Sequence, residues 1–183
     1  MALKATIFKA KVQIADMDRD YYGEHQLTLA RHPSETDERM MMRLLAFVHN
    51  ATSSLAFTRG LSSAEDADLW QKSPSGEIDL WIEVGLPTAE RLRKASNRCG
   101  RVLVYSFGGR TALVWWQKLQ SQLTRLGNLE VYYLPAHSTA QLAAMVERNM
   151  DFSVTIQDGY FWFATRNHNV ELSPEIWQQE QRS

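Results

Sequence analysis

Residues 76–87 read GEIDLWIEVGLP. In an extended chain Glu77, Asp79 and Glu83 share one face with Trp81, and Ile78, Leu80, Ile82 and Val84 take the other. The unbroken apolar face and the helix that follows place the stretch inside a sheet. Carboxylates on a covered face need cations, and the candidates are a metal, Lys94 or nearby arginines. Asp79 and Glu83 are four residues apart, so a straight strand separates their Cα atoms by about 13 Å, at about 3.3 Å per residue. Sharing one ion demands a bend or bulge within DLWIE.

A fourth acid, Glu38, lies in HPSETDERMMMRLLAFVHN, with Met41, Met42, Leu45 and His49 three, four, seven and eleven positions on. That spacing sets it on or beside an apolar helical stripe, where a carboxylate costs free energy unless it is paired. Arg43 or Arg59 can neutralise it, it can reach water from the edge of the stripe, or it can join the acidic strand face around a metal.

Charge is uneven along the chain. From residue 84 to 127, Arg91, Arg93, Lys94, Arg98, Arg101, Arg110, Lys118 and Arg125 face the single acid Glu90. This segment is either a set of solvated helix faces or a basic flank for a phosphate-bearing ligand. A formal net charge of −1 excludes a generally basic nucleic-acid binder. The YSFGGR turn, 105–110, is a plain tight turn or an anion-facing strand-to-helix junction.

Many familiar chemistries are missing. There is no GxxxxGK[ST] loop, GxGxxG fingerprint, HExxH, CxxC or GxSxG elbow. The five histidines share no metal-ligand spacing, and the lone Cys99 excludes an internal disulfide framework and reads as a small buried side chain. At 183 residues, 44% hydrophobic and 22% charged, the composition is that of one globular domain. The opening MALKATIFKAKVQI alternates like a strand, not a signal peptide, and no apolar run is long enough to span a membrane, which makes the cytoplasm the expected compartment.

The elements that position these residues follow from periodicity. Alternation over 5–14 and again in HQLTLAR predicts an antiparallel hairpin around a long polar loop, DMDRDYYGE. A helix over 34–50 starts at Ser34 with Asp37 as a capping-box partner. LAFTRGL is a short strand, and 62–76 a connection with at most one helical turn at 66–70. The acidic strand then leads into a helix over 87–98, the strand RVLVYSF and a helix over 110–125 with Leu113, Trp116, Leu119 and Leu123 as its apolar stripe. LEVYYL, a helix near 138–147 and FSVTI follow; Asp158-Gly159 joins FSVTIQ to YFWFAT as a hairpin, and VEL precedes a polar tail. Helix and strand alternate between terminal hairpins, which predicts crossovers onto a partly parallel sheet.

MALKATIFKA, LTLARHPSETDERMMMRLLAF, FTRGL, IDLWIEVGLP, VWW and TIQDG, in this order, resemble the YaeQ family of small bacterial proteins over essentially the whole chain. The resemblance implies a compact restriction-endonuclease-like fold of the PD-(D/E)xK superfamily. That is an α/β (α+β) core of mixed β-sheet flanked by helices, with N- and C-terminal β-hairpins, as one domain over 1–183. In that superfamily a first-helix acid, a strand Asp and a (D/E)xK triplet hold Mg²⁺ for phosphodiester hydrolysis. The resemblance thereby implies Glu38, Asp79 and Glu83 as catalytic metal ligands. Gly85 stands where the triplet lysine belongs, and Lys94 on the next helix is its substitute or an exposed lysine in the row Arg91, Lys94, Arg98. The implied function is a metal-dependent nuclease-like protein acting on or binding nucleic acid. The alternative is a non-catalytic module that keeps the scaffold and binds nucleic acid or a protein.

Overall fold

The structure, a computed structural model, describes residues 4–59 and 64–181. Gly60 and Leu61 of the LAFTRGL strand and Ser62 and Ser63 of the connection lie outside the described residues. The fold is mixed α/β, with two mixed sheets and, among the described residues, four helices. None of these helices is long and apolar enough to cross a membrane. The chain divides into two compact units, Met1–Asn50 with His137–Pro174, and Ala51–Ala136 with Glu175–Ser183.

In the first unit, β1 (Thr6–Asp16) and β2 (Tyr21–Arg31) form the expected N-terminal hairpin, registered from Thr6 opposite Arg31 to Asp16 opposite Tyr21. Its loop is shorter than the polar composition suggests. Gln13 donates to Glu24 across the strands at 3.2 Å, within β2 the Tyr21 hydroxyl bonds the His25 ring at 2.6 Å, and the strand register runs on to the turn. β8 (Asn149–Gln157) lies parallel to β1 and continues into β9 (Tyr160–Ala164) and β10 (Asn169–Leu172) as antiparallel neighbours. Asp158 and Gly159 turn the chain with φ of 54° and 78°, as a tight Asp-Gly hairpin requires. Asp18 accepts the backbone N–H groups of Asp158 and Gly159 at 2.7 and 2.9 Å, tying the β1–β2 loop to this turn. The terminal hairpins therefore merge into one sheet, β10-β9-β8-β1-β2.

The helix α1 (Asp37–Asn50) packs on β1 and β2. Its cap is Thr36 and not Ser34: the Thr36 hydroxyl accepts the Arg39 N–H at 3.1 Å, while Ser34 bonds His32. Met40 through Val48 are all buried, including Arg43. The Arg43 guanidinium meets both oxygens of buried Glu35, at 2.9 and 2.6 Å, and donates to the Ala30 carbonyl of β2. Arg39 adds a bond to the same carboxylate at 2.6 Å.

The second unit holds the sheet β11-β7-β6-β5-β4-β3. β5 (Ile78–Val84), β6 (Arg101–Phe107) and β7 (Leu129–Leu134) are parallel, and β3 (Leu55–Phe57), β4 (Leu69–Lys72) and β11 (Glu175–Gln178) are antiparallel to their neighbours. α2 (Ala89–Arg98) connects β5 to β6 and α3 (Arg110–Leu123) connects β6 to β7. Their buried faces, Leu92, Ala95, Trp116 and Leu123, close on Trp81, Val102, Val104, Leu129 and Val131. The α3 stripe differs from expectation: Ala112, Trp116 and Leu123 are buried, while Leu113 is 47% exposed. The last helix, α4 (Ala136–Ala143), is shorter and earlier than predicted.

Two stretches expected to be irregular are strands. β4 sits in the 62–76 connection, where Trp70 meets Trp81 edge-on across the sheet at 6.1 Å. β11 sits in the polar tail, where Trp177 stacks on Tyr133 at 4.4 Å and on Trp116 at 5.6 Å, and Gln178 donates to the carbonyls of Leu123, Leu126 and Leu129.

The Glu35–Arg43 pair gives a stability prediction. Glu35→Ala leaves a buried guanidinium without its carboxylate and is expected to cost about 3–5 kcal/mol. Glu24→Ala, which removes an exposed partner of Lys11, is expected to cost less than about 1 kcal/mol. Urea denaturation of both variants decides it; equal losses would remove the special role given to Glu35.

Candidate functional site

The site is built where β5 leaves the sheet and α2 begins. β5 lies between β4 and parallel β6, so the acidic strand is interior, as its sequence requires. Its register against β4 slips opposite Asp79: Leu80 pairs with Gln71 and Ile78 with Lys72, leaving Asp79 without a partner on β4. The register shift thus falls at Asp79, the first residue of DLWIE. The acids nevertheless occupy different environments. Asp79 is exposed, as is Glu77 ahead of the strand, while Glu83 is 5% exposed and Trp81 3%.

Glu83 is neutralised from two sides. Trp81 Nε1 donates to its Oε1 at 2.9 Å, and Arg91 Nε on the first turn of α2 donates to the same oxygen. Arg91 also donates to the backbone carbonyls of Ala64 and Asp66, and its guanidinium lies 5.7 Å from the Trp81 ring centre. One arginine therefore bolts α2 to β5 and to the segment leading into β4. The helix is started by Thr88, whose hydroxyl accepts the Arg91 N–H at 3.2 Å.

A second buried acid lies beside Glu83, just ahead of the neighbouring strand β4. Asp68, 4% exposed, precedes β4, donates its N–H to the Ile82 carbonyl at 3.0 Å and accepts the Val84 N–H on Oδ2 at 2.8 Å. Burial first, and then the Asp68 charge, push the Glu83 carboxyl up from 4.5 to about 7; Arg91 and the Trp81 N–H pull the other way. Asp68 is the site residue that the sequence reading misses, because the stretch around it is taken for a loop. The signal was present in ADLWQ, where an acid abuts a short alternating run ending before Pro74.

Over Trp81 and Arg91 opens a cleft of about 300 Å³, lined also by Thr88, Lys94, Arg98, Glu65 and Glu90. Lys94 is 70% exposed and pairs with Glu90 at 3.2 Å. Arg98 lies over the other part of Trp81, 5.9 Å from the ring centre. Glu38 is half-buried on α1 and belongs to the first unit, whereas Asp79, Glu83 and Lys94 belong to the second. Of the two arginines that could neutralise it, Arg43 is engaged by Glu35 and Arg59 pairs with Asp66 at 3.4 Å. Among the described residues, no three His, Cys, Asp or Glu groups are placed to hold one metal ion.

Gly85, two residues after Glu83, stands where the backbone favours glycine. Its φ is 112°, a conformation that side-chain-bearing residues rarely adopt, and its N–H bonds the Tyr105 carbonyl at 3.0 Å. A lysine there would be strained even though a Cβ would meet nothing within 4 Å.

The chain was compared with known proteins. It is 46% identical to the uncharacterized protein YaeQ of Salmonella typhi over 179 residues, covering 98% of this chain and 99% of that protein. It is 45% identical to the corresponding Escherichia coli protein over the same span. The crystal structure of the YaeQ protein from Xanthomonas axonopodis pv. citri matches with a TM-score of 0.93 at 45% identity, covering 95% of this chain and 98% of that one. The Pseudomonas syringae YaeQ crystal structure matches with a TM-score of 0.92 at 34% identity, covering 96% and 97%. The family model described as YaeQ protein matches residues 1–174, and the chain belongs to that family.

Proposed function

We propose that the chain binds nucleic acid, gripping phosphates with the face of α2 that opens over Trp81. The observation that carries this reading is the cationic row Arg91, Lys94 and Arg98 along one cleft, with Arg91 locked in place by Glu83 and two carbonyls. Residues three, four and seven apart share a helix face, and guanidinium groups suit phosphate oxygens in pairs. Trp81 and Arg91, not the Glu83 carboxylate, line the cleft. Glu83 on this reading is a positioning residue that holds Arg91.

A second reading, metal-dependent phosphodiester hydrolysis, is favoured by the buried Asp68 beside Glu83. Within the second unit Asp79 and Glu83 are then the candidate metal ligands, with Asp68 added, and Lys94 the candidate catalytic cation. Carboxylate oxygens are the donor type Mg²⁺ prefers, and two of them leave room for waters and phosphate oxygens. When bound, the ion would activate a water and offset charge at phosphorus. For the chain's own part, Arg91 already sits on one oxygen of Glu83, so an ion there would compete with a guanidinium.

Three measurements test these readings. In anisotropy titrations with single-stranded and duplex DNA, Lys94→Ala with Arg98→Ala is expected to weaken binding evenly across sequences. The salt slope should fall by about 2. Unchanged affinity would sink the phosphate-binding face. In Mg²⁺ and Mn²⁺ calorimetry the wild type, Asp68→Asn, Asp79→Ala and Glu83→Gln are expected to behave alike. Metal-dependent cleavage of DNA or RNA, lost in Asp68→Asn and Glu83→Gln, would select the catalytic reading instead.

The third concerns pH. A carboxyl whose folded pKa lies above its ordinary value favours the folded state fully below the ordinary value and loses that contribution as pH rises through the folded one. For Glu83 the window runs from 4.5 to about 7. Urea denaturation of wild type and Glu83→Gln is expected to show a larger wild-type advantage at pH 5 than at pH 8, by about 1–3 kcal/mol. An advantage that does not change between the two would mean that Glu83 titrates at its ordinary value.

A further inference from the structure

One face of the first unit's sheet holds exposed and half-buried side chains of β1, β8 and β9, and it carries aromatics where a solvated sheet needs none. Cross-strand register assigns the row Tyr22, Ala15, Thr155, Trp162 and Glu171 to it, with Tyr160 and Gln157 on one side and Glu24, Gln13, Ser153, Ala164 and Asn169 on the other. Tyr22 is 61% and Tyr160 46% exposed. Tyr160 and Trp162 stack on each other at 6.0 Å, making one broad platform on β9. Tyr22 stands across from it, three strand spacings or about 14 Å away. Between them the floor is Ala15 and Thr155, residues too small to fill the gap.

Further along the strands the same face dips into a hollow of about 560 Å³, lined by Lys9, Lys11, Gln26, Thr28, Asn149 and Asp151. The lysines there are already engaged: Lys9 bonds the Thr28 hydroxyl at 2.7 Å and Lys11 pairs with Glu24 at 3.7 Å. Against Lys9 and Lys11 the face sets Glu24, Asp151 and Glu171, so it has no cationic track for a phosphate backbone. An extended peptide would seek the free edge of a strand, where backbone groups are unpaired, and not a face whose backbone is fully laddered. What remains is a surface of amides and hydroxyls (Gln13, Gln26, Thr28, Asn149, Ser153, Gln157) with flat rings at one end.

We propose that this face binds a linear, uncharged oligosaccharide, its sugar rings stacking on Trp162, Tyr160 and Tyr22 and its hydroxyls meeting the amides toward the hollow. Aromatic rings cover the C–H faces of sugars, and side-chain amides supply both donors and acceptors to hydroxyls. Binding is independent of the α2 cleft and of any nucleic acid held there.

The test is a titration of the ¹⁵N-labelled full chain with cellohexaose and with chitohexaose, following amide shifts on β1, β8 and β9. Saturable shifts confined to this face are expected, with affinity the same between about 50 and 200 mM salt. Trp162→Ala is expected to weaken binding at least about tenfold, and Thr155→Arg, which fills the floor while leaving the platform, to do the same. Matching stability of the exposed-face variants and wild type in urea excludes unfolding as the cause. No shift on the face with either sugar overturns the proposal. So does binding of single-stranded oligo(dT) to these residues with an affinity that falls with salt, which would make the platform a nucleic-acid site.

Discussion

The contact between Arg91 and Glu83 organises the second unit around the candidate site. Glu83 is buried on an interior strand, next to the buried Asp68, and a lone charge there would be costly. Arg91 answers that cost from the first turn of α2, and in doing so fixes where the helix starts relative to β5. Its remaining donors reach the carbonyls of Ala64 and Asp66, so the same guanidinium also sets the path of the chain into β4. Trp81 closes the arrangement, donating to Glu83 and covered by Arg91 and Arg98. Helix, strand and the cleft above them are therefore tied together through the contact of Arg91 with Glu83.

That arrangement bears on what the site can do. Burial, and then the charge of Asp68, raise the Glu83 pKa, while Arg91 and the Trp81 N–H oppose the rise. Lys94 on the cleft is paired with the exposed Glu90, a contact that solvent weakens. Arg91 and Trp81 both line the cleft and both bond Glu83, so the wall of the cleft and the buried carboxylate are joined.

Much of this was legible in the sequence, for physical reasons that also explain the misses. Phe8, Ala10, Val12 and Ile14 alternate because one face of β1 is buried, and the Asp158-Gly159 turn is written in residues that tolerate positive φ. RVLVYSF is found as a strand over its full length because Val102 to Tyr105 make an unbroken apolar run buried on both faces. The strands β4 and β11 escaped because they are four residues long and polar in part; they exist through Trp70 on Trp81 and Trp177 between Tyr133 and Trp116, contacts that tertiary structure alone brings about. Asp68, just ahead of β4, therefore reads in the sequence as part of a loop. Asp79 and Glu83 look equivalent by alternation, but one sits at a bulge in water and the other under a helix.

Gly85 shows how a departure from a pattern can be forced by the backbone. Right after β5 the chain must turn from the sheet toward α2, and it does so with φ of 112° while its N–H remains bonded to the Tyr105 carbonyl of β6. Glycine adopts that conformation freely and lysine does not. A cation beside Glu83 can therefore not be carried two residues further along the strand and must come from another element. The first turn of α2 is the nearest place that the chain reaches after the turn, and Thr88 starts the helix so that the residue it caps is Arg91. Arg91 is thus the cation that stands against the Glu83 carboxylate. An arginine also carries enough donors to hold Glu83 and the two carbonyls together, which a lysine ammonium at the same position could not do with the same fixed geometry.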